Sequence, residues 1–91
     1  PMHSFTIRLH AKCGCDTFHF HKIYTPNGMK YHVAASTHKN KNYFFNMELK
    51  GDRWVIVSSP MPLNCILQLE EALSKAIVQN HENNNDVPSE K

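Results

Sequence analysis

The sequence predicts an α+β domain, an antiparallel β-meander of four to five strands with one C-terminal helix packed on one face. Three observations lead there. Five runs alternate apolar with polar residues: Phe5-Ile7-Leu9, Phe18-Phe20, Tyr31-Val33-Ala35, Tyr43-Phe45-Met47-Leu49 and Trp54-Ile56. A period of two puts the apolar members of each run on one face of a strand. From Leu63 to His81 the period lengthens to the helical one and supplies a cover for that face. The connections between the runs are short and rich in turn formers, so sequential neighbours pair antiparallel.

The first hairpin joins a strand near His3–His10 to one near Thr17–Tyr24, with Gly14 and Asp16 in the connection. Thr25-Pro26-Asn27-Gly28 is the clearest turn: Pro26 presets a negative φ, and Asn27 and Gly28 tolerate a positive one. His38-Lys39-Asn40-Lys41-Asn42 makes the third connection and Lys50-Gly51-Asp52 the fourth. Ser58-Ser59-Pro60-Met61-Pro62 ends the sheet, because two prolines cannot sit in a central strand but suit the approach to a helix, with Ser59 or a neighbour as cap.

Along the helix, Ile66, Leu69, Leu73, Ala76 and Ile77 form the inward stripe. Leu63, Leu67 and Val78 form a shoulder that packs on the loop around Met61 or meets another copy. Trp54, Phe45, Tyr31, Leu69 and Leu73 are the expected core. Residues 82–91, with Asn83-Asn84-Asn85-Asp86 and no apolar period, read as a disordered tail after a single domain over 1–81.

Ninety-one residues make one domain, and 41% hydrophobic content excludes disorder for most of it. A net charge of +2 neither demands nor excludes nucleic acid. Residues 1–10 alternate where a signal peptide would be continuously apolar. No run approaches the roughly 20 apolar residues of a membrane span. Three cysteines are an odd number and form no disulfide framework, so a reducing, cytoplasmic compartment is expected.

The other alternation of each strand defines a second face. It carries Thr6, Arg8 and His10, then His19, His21 and Ile23, then Lys30, His32 and Ala34. Phe44, Asn46, Glu48, Val55 and Val57 complete it. A wet face needs no explanation in an antiparallel sheet, but apolar residues on it invite a partner. The expected function is therefore a small, non-catalytic binding or protein-interaction module, homodimeric through this face. Its partner-binding residues would be Arg8, His19, His21, His32, Phe44, Val55 and Val57. The alternative is a single-stranded nucleic-acid-binding domain, with Arg8, Lys30 and the histidines on phosphates and Phe44 stacked on a base. The scarcity of arginine, Arg8 and Arg53 alone, weighs against that.

Several strands followed by a helix resemble the repeat unit of PUR-type and Whirly-type single-strand binders. That likeness is one of topology and implies no site residues. The first hairpin holds His10, Cys13, Cys15, His19 and His21, which together could form a tetrahedral zinc site. Only one residue separates the two cysteines, whereas structural sites space them by two to four. Cys65 reads as a small buried hydrophobe in the helix. Cys15, Asp16 and His19 lie close enough in sequence to raise Cys–His catalysis, but closeness in a hairpin does not establish the geometry it needs. A leading Pro1-Met2 resembles tautomerase-superfamily chains, where an N-terminal proline amine is the general base. That family follows its first strand with a helix, whereas here a second strand comes next.

Overall fold

Each alternating run becomes a strand. The computed structural model describes residues 4–58 and 60–86, and for 81–86 the backbone alone. The strands are β1 (Ser4–Arg8), β2 (Cys15–Thr25), β3 (Gly28–Thr37), β4 (Asn42–Lys50) and β5 (Arg53–Val57), followed by α1 (Asn64–Leu67) and α2 (Glu70–Asp86). The five strands lie in chain order, every pair antiparallel. No helix among the described residues is long and apolar enough to cross a membrane.

Register follows from the alternation, since a one-residue slip would turn every apolar side chain outward. Phe18, Phe20, Tyr31, Val33, Ala35, Phe45, Met47, Trp54 and Ile56 all point to the covered side and are buried. Ile66, Leu73 and Ile77 meet them from the helices and are fully buried, with Leu69 packed beside them. Aromatic contacts tie the strands together: Phe5 stacks on Phe20 at 4.6 Å, and Tyr31 meets Trp54 edge-on at 5.1 Å.

Gly14 at φ +95° allows the first connection to turn back, closed by the Gly14 N–H on the Ala11 carbonyl at 2.9 Å. Ala11 in this connection is buried, and the β2–β3 register shifts between Cys15 and Thr17.

The helical segment differs from the sequence expectation in three ways. It breaks at Gln68–Leu69, where the Leu69 N–H reaches the Ile66 carbonyl three residues back in place of four. The N-cap of α1 is Leu63, with no side-chain cap; Ser59 lies outside the described residues. α2 continues through Asp86, so residues 82–86, expected in the tail, are helical. Once a helix is nucleated on a packed face, each added residue gains a hydrogen bond at small cost, so a polar stretch can extend it. Residues 87–91 lie outside the described residues.

The cysteines also depart from expectation. Cys13, in the β1–β2 connection, is disulfide-bonded to Cys65 in α1, 52 residues away. Cys65 is therefore half of a covalent tie between the first hairpin and the first helical turn. The expectation of a reducing compartment draws on cysteines that form no disulfide framework, and the Cys13–Cys65 bond departs from that.

Candidate functional site

The face opposite the helices is built by the polar members of each alternation. Cross-strand register arranges them in rows: Ser4, His21, His32, Asn46 and Val57 form one, and Thr6, His19, Ala34 and Phe44 the next. Within these rows every imidazole is held at Nδ1 by the residue directly across from it. His21 Nδ1 hydrogen-bonds Ser4 Oγ at 2.9 Å and His19 Nδ1 hydrogen-bonds Thr6 Oγ1 at 2.7 Å. His32 donates from Nδ1 to Asn46 Oδ1 at 3.0 Å. Fixing Nδ1 orients each ring and leaves its Nε2 edge for another group.

His32 also stacks on Phe44, with ring centroids 5.8 Å apart and planes 11° from parallel. This pair forms one wall of a cleft of about 390 Å³. Asn46 and Ser58 also line it, and Ser58 Oγ accepts the Asn46 backbone N–H at 2.9 Å. Met61 and Leu63 complete its apolar lining. Phe44, Met61 and Leu63 are 60%, 56% and 42% exposed, so half of the large exposed hydrophobics among the described residues line this single cleft.

Of the expected partner-binding residues, the structure brings His32 and Phe44 together. His19 and His21 lie beside them, anchored to β1, and Val57 pairs across from Asn46. Arg8 ends the β1 edge strand and Val55 sits opposite Glu48, both away from the cleft. Met61 lies outside the expected binding set, although Pro60-Met61-Pro62-Leu63 carries a signal. Two apolar residues alternate there with prolines, which can join neither a ladder nor a helix interior, so nothing local buries them. Leu63 from the expected shoulder joins this cleft, Leu67 packs on the core, and Val78 stays exposed.

The expected zinc set does not assemble. Cys13 is bonded to Cys65, and Cys15 is fully buried on the covered side while His19 is exposed on the other. Burial, with a smaller contribution from the neighbouring Asp16 carboxylate, pushes the Cys15 thiol up and away from thiolate. Among the described residues no three histidines, cysteines or carboxylates converge on a metal position. The sheet likewise separates Cys15 from His19, so they do not form a nucleophile–base pair. Pro1 and Met2 lie outside the described residues.

One charged group escaped the sequence reading. Lys22 shares the inward phase of Phe18 and Phe20 and is only 8% exposed. Its Nζ sits 5.9 Å from the Tyr31 ring centre and 6.0 Å from that of Tyr24. Burial lowers its pKa.

Comparison with known proteins finds no family model that matches this chain, and no curated protein or solved structure that resembles it. The chemistry of the face must be read from its own residues. It offers an apolar slot, oriented imidazoles, Arg8 on the β1 edge strand, and Lys30 directly across from Glu48.

Proposed function

We propose that this chain is a non-catalytic protein-interaction module whose uncovered sheet face binds an extended, acidic segment of a protein partner. One apolar side chain of that segment would fill the cleft between Phe44 and Met61. The observation that carries this reading is the gathering of Phe44, Met61 and Leu63 around one cleft, next to imidazoles fixed at Nδ1. An apolar anchor in a pocket with polar groups at the rim is how small interfaces concentrate binding energy. Arg8 and Lys30 outnumber Glu48 on the face, a slight positive excess that an acidic segment would complement. Two copies stacked through it would bring together two faces with the same slight positive excess, a weaker charge match. An acidic segment therefore suits the face better than a second copy.

Single-stranded nucleic acid is the second reading, favoured by the near-parallel stack of the exposed Phe44 on His32, which presents a π-face to a base. A titration followed residue by residue in NMR spectra separates the two. The probes are an aspartate-rich peptide bearing one leucine, its lysine counterpart, and an oligothymidylate. The proposal expects the acidic peptide alone to shift His32, Phe44, Asn46 and Met61, and Phe44→Ala to weaken that binding at least tenfold. Salt-sensitive oligothymidylate binding that Arg8→Ala weakens would replace it with the nucleic-acid reading. No response to the acidic peptide would overturn the protein-segment reading.

A further inference from the structure

The disulfide and the cleft meet in one short stretch of chain. Leu63, which lines the cleft, is also the residue on which α1 starts. Its carbonyl accepts the N–H groups of Ile66 at 2.9 Å and Leu67 at 3.0 Å. Cys65 lies inside that single helical turn and is bonded to Cys13 of the β1–β2 connection. The covalent tie is therefore two residues from Leu63 and four from Met61.

The two sides of the cleft are held in different ways. His32, Phe44 and Asn46 belong to β3 and β4, which pair with one another and with a further strand on either side. Met61 and Leu63 belong to the connection that leads into α1, and its two prolines, Pro60 and Pro62, carry no N–H to bond. Ile66 and Leu67 pack α1 on the core, and the bond at Cys65 ties it to the first hairpin. Apolar packing is non-directional and leaves a single turn room to shift, whereas a covalent bond does not.

We propose that the Cys13–Cys65 bond is a redox switch for the cleft, holding Met61 and Leu63 at the cleft when formed and releasing them when reduced. The inference rests on the binding reading of that cleft and adds its regulation. The step is a two-electron exchange with a dithiol. A thiolate of the dithiol attacks one sulfur of the bond, and its second thiol resolves the mixed disulfide. Cys13 and Cys65 end as two thiols carrying the dithiol's two protons, and the reductant ends as a disulfide. Both cysteines are half-buried, so the bond is within reach of a reductant. Cys15 is fully buried with its thiol held away from thiolate, so the exchange draws on an outside thiol. With the bond open, ordering residues 60–63 opposes binding, and affinity falls.

Titration with the aspartate-rich, leucine-bearing peptide, on oxidised protein and on protein reduced by a dithiol, tests it, with amide exchange read at single residues. Reduction should weaken binding by about tenfold or more, while β3 and β4 keep their native chemical shifts. Exchange at Ile66 and Leu67 should quicken by about tenfold or more. Cys13→Ser with Cys65→Ser should reproduce the reduced state; should that variant fail to fold, reduced unmodified protein carries the test. Ile77→Ala, at a fully buried position later in α2, lowers stability with the bond intact and should keep the unmodified affinity. Equal affinity in both redox states overturns the inference, as does an equal loss of affinity in Ile77→Ala. A reduced chain that unfolds throughout also overturns it, since the bond would then serve stability alone. Oxidised protein that ignores the peptide removes the binding reading instead. The switch is then decided by exchange at Ile66 and Leu67 and by the Met61 methyl shift, whose change on reduction supports it and whose constancy overturns it.

Discussion

The side-chain hydroxyl of Ser74 accepts the backbone N–H of Trp54 at 2.9 Å. Its neighbour one turn earlier, Glu70, does the same for Ile56 at 2.8 Å. α2 thus covers the sheet face with Leu73 and Ile77 and closes the β5 edge with Ser74 and Glu70. Ser74→Ala removes the side-chain acceptor of this N–H, at a cost of about 1–3 kcal/mol. Urea denaturation should show that loss. An unchanged midpoint would mean that water reaches the Trp54 amide.

Leu73 sits at the centre of the helix-to-sheet contact, with no exposed surface. Leu73→Ala should cost about 2–5 kcal/mol, the range for a buried leucine whose cavity collapses only in part. The same substitution at the exposed Leu63 should change stability by about 0.5 kcal/mol or less. Equal midpoints for the two variants would contradict the packing described.

The Cys13–Cys65 bond closes a loop spanning 52 residues, almost the whole sheet. By loop-closure entropy it stabilises the fold by about 4 kcal/mol. Reduction by a dithiol, or Cys13→Ser, should lower the denaturation midpoint accordingly. The free Cys15, buried and with its thiol pKa raised, should resist alkylation until the chain unfolds. Rapid alkylation of Cys15 in the folded, oxidised protein would contradict its burial.

Burial pushes the Tyr31 phenol up to about 12, with Tyr24 adding to the shift. The folded state therefore holds this proton over a pH range in which the unfolded chain, titrating near 10, has released it. The stabilisation is fully present below about pH 10 and is lost as pH rises through 12, a fall approaching about 2–3 kcal/mol at 1.36 kcal/mol per unit. Lys22 acts with the opposite sign. Its pKa is lowered by burial, so stability rises with pH from its folded pKa toward the unfolded lysine value. Tyr31→Phe should flatten the alkaline fall, and Lys22→Met should remove the rise that precedes it. Denaturation midpoints measured across alkaline pH read both effects.

Much of the architecture was legible because it is local. Alternation in Tyr43-Phe44-Phe45 already says that Phe45 turns inward and Phe44 outward, since neighbours on a strand occupy opposite faces. The stripe Ile66, Leu73 and Ile77, the strand order and the turn at Pro26-Asn27 are likewise short-range properties of the chain. Half of the candidate site could be read the same way: His32 and Phe44 share a face by phase alone.

The rest depends on where distant segments meet. Cys13 and Cys65 look unrelated in the chain, and only the path of the meander and its crossing helix brings them into bonding range. The break at Gln68 follows from that path: α1 is tied to the first hairpin while α2 runs against β5, so the segment turns between two anchors. Met61 and Leu63 line a cleft because the Pro60–Leu63 segment comes to the same cleft as Phe44. Lys22 follows the inward phase although its charge argues for water, and two tyrosine rings from the folded sheet make that burial tolerable. Periodicity records which way each side chain points from its own backbone; what it then touches is set by the packing of elements far apart in the sequence.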